Sequence, residues 1–319
     1  MLKFISKKMA LQWLILFALL AFALFSIITK SQIANAAGMP FLFKNFALSF
    51  AQNQLIGKIF IIFILLFQLI LIQYYYKKNE YATKKSVLPA CFFLAILLLT
   101  NSLTIISPVF FTLFFFLIII SINFTAGTET LKNNIFLSGL LIAFSTGFDI
   151  SSIVLLFLVI ATLIINQFSR IKEIGILLFG FLLLYYFFFS FYFFKDNLRE
   201  WLFTFQEIKF MGVFSSAISN MGVRLFSIIS LSIVYLLFIL RFKLLSDTKV
   251  VIQRNRIVTL NTRAILMLAC IFIAGLPYPL VLGYLFVHLS VYLAMTAQEK
   301  SPLFINELIT ILTLVALWL

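Results

Sequence analysis

A chain of 319 residues that is 64% hydrophobic and only 11% charged has too little polar surface to cover a water-soluble domain. Its net charge of +14 is scattered over short loops, where basic residues set membrane topology and meet anionic headgroups, so nucleic acid is not an expected partner. Cys91 and Cys270 both fall in apolar segments, His288 is the lone histidine, and no Gly-rich phosphate loop is present. Those facts exclude a disulfide framework, a four-histidine iron oxygenase and an ATPase, and no cofactor or metal is expected.

The pattern predicts an all-α, polytopic transmembrane bundle of about eleven spans in a single domain covering residues 1–319. A basic start, MLKFISKK, leads into a first span from Met9 to about Ile28. Ala34-Asn35-Ala36 before Ala37 has the small-x-small form of a signal-peptidase site. The preceding apolar run exceeds the usual about 7–15 residues, however, and is read as a retained span. Residues 30–57 form an outer loop in which Pro40 opens an amphipathic helix suited to the interface, with Phe43, Phe46 and Phe50 on one side.

A second span covers about 59–76. Third and fourth spans, near 87–106 and 109–124, are divided by Ser107-Pro108. Residues 134–167 are nearly unbroken apolar sequence with one charge, Asp149, at the middle. A single helix of that length runs roughly 50 Å, too long for a hydrocarbon slab of about 30 Å, so two short helices turning at Thr146–Asp149 are predicted. The first carries Gly139, Ala143 and Gly147 at four-residue spacing, a stripe that lets a neighbouring backbone approach closely, and the hairpin is expected at the centre of the bundle.

A seventh span, about 174–194, closes in an aromatic belt. The outer loop 195–221 follows, in which Asp196 or Asn197 caps a short helix, and then an eighth span near 222–241. The loop 242–263 is the most basic and is placed in the cytoplasm, with Lys243, Lys249, Arg254, Arg256 and Arg263 in it. A last hairpin, 264–296, turns at Leu276-Pro277-Tyr278-Pro279, and an eleventh span follows Ser301-Pro302. With the N-terminus cytoplasmic and the C-terminus outside, 17 of the 24 basic residues fall inside, as the positive-inside rule asks. The hairpins 87–124, 134–168 and 264–296 are expected to pack as the core.

Isolated polar groups in the apolar stretches are the candidates for chemistry, because burial there is costly. Asp149 is either the N-cap of the sixth span or a site carboxylate meeting a cation such as Lys195 or Arg224. Arg224 either snorkels or binds a phosphate at the outer face. His288, with Tyr284 and Tyr292 one turn to either side, is either a proton relay or a histidine hydrogen-bonded between packed helices. Glu307, at the start of the last span, is read as positional.

The segments at 88–111 (LPACFFLAILLLTNSLTIISPVFF), 133–165, 276–286 (LPYPLVLGYLF) and 305–319 resemble, in order and apolar pattern, an uncharacterised family of multi-spanning inner-membrane proteins from Bacteroidota. The resemblance implies a bacterial cytoplasmic membrane and no particular activity. A more distant likeness is to the C-type membrane glycosyltransferases and related glycan polymerases and ligases, with their amphipathic first outer loop and short helical hairpins. That likeness implies a polyprenyl-phosphate sugar in an outward-opening cavity. The catalytic acid of those enzymes lies in the first outer loop, yet residues 30–57 contain no Asp or Glu. Either the site has moved, to Asp149, or the scaffold persists without the chemistry.

Two functions follow. One is a non-enzymatic scaffold, accessory or lipid-handling component of a cell-envelope pathway, with membrane lipids and other envelope proteins as partners. The other is a polyprenyl-phosphate-dependent glycan transferase or flippase-like protein, with Asp149 as base and Arg224 and Lys195 on phosphate. A secondary transporter is a third reading.

Overall fold

Proline sets the starts of two short early helices: Pro89 sits in the first turn of α4 (Leu88–Leu99) and Pro108 opens α5 (Pro108–Ser121), where a missing N–H costs nothing. Both belong to a computed structural model that describes residues 8–33, 41–79, 81, 86–100, 102–103, 105–122, 129–165, 171–196, 198, 232–241, 251–273 and 278–298. The helices before them are α1 (Met9–Lys30), α2 (Phe41–Gln52) and α3 (Gln54–Lys78). After them come α6 (Glu129–Phe148), a 3₁₀ turn (Ile150–Ile153) running into α7 (Val154–Ile165), and α8 (Ile171–Phe194). The last are α9 (Ser232–Arg241), α10 (Val251–Ile273) and α11 (Tyr278–Gln298). Apart from one two-residue parallel pairing, Gln32–Ile33 (β1) with Ile105–Ile106 (β2), the regular structure among the described residues is helical.

Among the described residues, three helices are long and apolar enough to cross a membrane: α1 with 22 residues, α3 with 25 and α8 with 24. The chain is an α-helical membrane protein. α4 and α5, with 12 and 14 residues, are about 18–21 Å long and fall short of a 30 Å slab on their own. They bury themselves against other helices, as short hairpins in the core should. Arg224, Glu307, the predicted eleventh span and nearly all of the outer loop 195–221 lie outside the described residues.

The centre of the packing is α11. Every residue from Gly283 to Ala297 is buried, the signature of a helix surrounded on all sides. α4, α5 and α10 pack against it, and α9 joins through Tyr235 and through Phe238, whose ring stacks on Tyr292 at 5.3 Å. The expectation that residues 134–167 occupy the centre is therefore corrected: α6 leaves Leu137 and Phe144 exposed.

The small-residue stripe nevertheless works as its spacing implies. A Cβ on Gly139 would lie 2.2 Å from the Leu177 carbonyl oxygen, and one on Gly180 would lie 2.5 Å from that of Phe136. The two glycines let α6 and α8 touch backbone to backbone, and α8 rather than α7 is the main partner of α6. Their contacts pair Phe136 with Gly180 and Thr146 with Tyr185, so the two helices run parallel. α6 also begins at Glu129, a full turn earlier than the predicted 134.

Three further expectations are revised. The amphipathic helix in residues 30–57 is present as α2, but Phe43 and Phe50 are buried instead of resting at the interface, and α3 follows after Asn53 alone. Phe43 meets the Phe111 ring edge-on at 6.0 Å, so α2 is folded onto α5. The basic loop 242–263 is helical from Val251 onward. Asp196 has φ 55°, the left-handed conformation that stops α8, and does not have the extended backbone of an N-cap.

Candidate functional site

Asp149 lies where α6 gives way to the 3₁₀ turn. Its backbone is extended, at φ −148° and ψ 114°, and its carboxylate oxygen accepts the Ser151 N–H at 2.9 Å. This is an N-cap: the side chain supplies an acceptor to an amide that the opening helix leaves unpaired. Among the described residues no cation lies within ion-pair range of it. Lys195, at the end of α8, holds its Nζ 4.5 Å from the Phe191 ring centroid. One turn past the cap, Ser152 accepts the Tyr284 hydroxyl of α11 at 3.2 Å, which ties the break in the 134–167 stretch to the buried centre.

Tyr284, His288 and Tyr292 do share one buried face of α11. His288 is 1% exposed, and its Nδ1 lies 3.0 Å from the Tyr284 carbonyl of its own helix. A carbonyl only accepts, so Nδ1 carries the proton and the bond stays within α11, where a link across packed helices was expected. Among the described residues, nothing partners the buried Nε2.

The densest polar cluster lies below His288 and centres on a residue read from sequence as part of a solvated loop. Arg263 is 6% exposed. Its Nε donates to Thr162 Oγ1 at 3.1 Å and its Nη1 to the Tyr75 hydroxyl at 3.4 Å, long for such a bond. Thr162 spends its own proton on the Leu158 carbonyl at 2.8 Å, so its lone pairs are what face the guanidinium. Tyr75 shares a 2.8 Å hydrogen bond with Tyr81, which folds back inward from beyond the end of α3. Two residues before Arg263, Asn261 accepts the Tyr292 hydroxyl at 2.6 Å, joining α10 to the His288 face of α11.

Electrostatics explain how a cation survives here. Thr162 is in the last turn of α7 and Tyr75 in the last turn of α3, so two helix C-termini point partial negative charge at Arg263. Among the described residues no carboxylate lies within ion-pair range of it. A tyrosinate does not neutralise it either: burial, reinforced by the adjacent Tyr75, holds the Tyr81 phenol well above its ordinary range.

The structure thus brings Asp149 to the edge of the Tyr284 tie and His288 to the Arg263 cluster, and leaves Lys195 apart from both at the end of α8. Arg263 was missed because its neighbours are basic and polar. The usable signal was periodicity: Ile257, Leu260, Ala264, Met267 and Leu268 recur at helical spacing, and Arg263 lies on the face they define. Among the described residues no group of three or more metal-ligating side chains occurs. No protein-family model, curated protein or solved structure matches the chain.

Proposed function

We propose that this protein is a non-enzymatic scaffold, accessory or lipid-handling component of a cell-envelope pathway in a bacterial cytoplasmic membrane. In this reading the chain crosses that membrane about eleven times, with the N-terminus inside and the C-terminus outside. The observation that carries it is Asp149: the carboxylate best placed by sequence for chemistry has its lone pair on the Ser151 amide and, among the described residues, no cation opposite. Polar groups elsewhere in the core act in the same way. Gln12 of α1 accepts both Ser86 Oγ, at 3.0 Å, and the Val87 amide, at 3.1 Å, closing the start of α4. Gln68 of α3 donates to the Phe110 carbonyl of α5 at 2.8 Å. These are joints between helices, which a protein needs when lipid supplies no hydrophobic drive for helices to associate.

The test is a chromosomal Asp149→Asn exchange in the native host, with the amount of protein in the membrane fraction measured and polyprenyl-phosphate-linked glycans profiled by mass spectrometry. Asparagine keeps a capping oxygen and removes the charge. Normal protein with an unchanged glycan-lipid pool supports the reading. Normal protein with an accumulated lipid-linked glycan overturns it and makes Asp149 a transferase or flippase group.

A further inference from the structure

The Arg263 cluster has more donors than acceptors. A guanidinium carries five N–H groups. One goes to Thr162 and one to Tyr75. The Tyr75 and Tyr81 hydroxyls share a single hydrogen bond, so whichever of them donates it, one O–H of the pair is left over. None of these leftover donors has an acceptor among the described residues, and all belong to buried side chains. The helix C-termini offset part of the charge of Arg263 but take no hydrogen bond from it. Buried donors are ordinarily satisfied, and a buried cation is ordinarily paired.

Position narrows the missing group. Tyr75 lies in the last turn of α3, followed by Lys77 and Lys78. α3 is 25 residues, about 37 Å, slightly longer than the hydrocarbon slab, so its basic end and the Arg263 cluster beside it sit at headgroup depth. Lys78 Nζ donates to the Ser121 carbonyl at the end of α5 at 3.2 Å, so that helix ends at the same level. An anion that accepts from several directions at that depth is a phosphate.

We propose that Arg263, with the Tyr75–Tyr81 hydroxyl pair, binds a phosphate group entering between the ends of α3 and α7 and the middle of α10. Its source is a lipid headgroup or free phosphate. Arginine supplies charge and directed donors, and the tyrosines supply a neutral O–H at the edge of the site. The proposal stands apart from the scaffold reading, since a phosphate-binding protein can be catalytic or not.

The experiment uses the delipidated full-length protein in dodecyl maltoside, a detergent without phosphate. Phosphatidic acid or inorganic phosphate is titrated in, and binding is followed through the unfolding midpoint. The expected result is a rise in the midpoint of the wild type, with apparent affinity falling about tenfold or more in Arg263→Gln. Arg254→Gln, an exposed position on the same helix, should titrate as wild type. A response to phosphatidic acid alone assigns a lipid headgroup, and a response to inorganic phosphate as well assigns a site open to water. Should Arg263→Gln fail to fold, Tyr81→Phe keeps the ring and removes the hydroxyl, and should weaken binding several-fold. The proposal is overturned by a wild type indifferent to both probes, by equal losses in the Arg254 and Arg263 variants, or by unaltered binding in Tyr81→Phe where Arg263→Gln does not fold.

Discussion

Replacing Gly139 by alanine tests the packing of α6 on α8 at its tightest point. The new methyl would lie 2.2 Å from the Leu177 carbonyl oxygen and 2.9 Å from the Phe181 nitrogen, where ordinary contact begins at 3.4 Å. Both obstacles are backbone, so no rotamer change relieves them and the helices must part by about an ångström. Overpacking of that kind costs about 1–3 kcal/mol, while alanine returns up to about 1 kcal/mol of helix propensity. The net expectation is a loss of about 1–2 kcal/mol, less where the helices separate easily into lipid. Gly175, two residues before Leu177 on α8, is the internal control: a Cβ there meets nothing within 4 Å, so Gly175→Ala keeps only the propensity gain. Equilibrium unfolding of both variants in one mild detergent gives the comparison directly. Gly139→Ala as stable as Gly175→Ala would refute backbone contact between α6 and α8.

Substitutions at three other positions separate joints from passengers. Asp149→Ala removes the cap on Ser151 and should cost about 0.5–2 kcal/mol in the same unfolding assay, whereas Asp149→Asn should cost little because an amide oxygen also caps. Gln12→Leu strips the acceptor from the Val87 amide and the Ser86 hydroxyl, both buried, and should cost about 1–3 kcal/mol. Gln68→Met should be neutral or stabilising by comparison, because Gln68 Oε1 is already buried with no partner among the described residues and the substitution removes that penalty along with one hydrogen bond. A larger loss at Gln68 than at Gln12 would contradict this ranking.

These contrasts trace to what a local pattern can and cannot carry. Helix starts at Pro89 and Pro108, the break at Asp149 and the close-approach stripe through Gly139 were legible because each depends on backbone sterics or on residues within a turn or two of one another. The inward turn of Arg263 was legible in principle from the spacing of Leu260, Ala264 and Met267. It was masked by Arg254, exposed, and Arg256, half-buried, on the same helix.

Apolar composition determined by itself that this chain is a helical membrane protein, and spacing determined where several helices begin, break and can touch. The tertiary structure alone decided that α8 receives Gly139 while Leu42 of α2 covers Gly147, that α11 is enclosed on every side, and that Arg263 faces Tyr75 and Thr162. The reason is physical: lipid tails are as apolar as leucine, so a residue facing lipid and one facing a neighbouring helix read alike in the sequence. Partner choice then rests on shape and on a few buried hydrogen bonds between segments far apart in the chain.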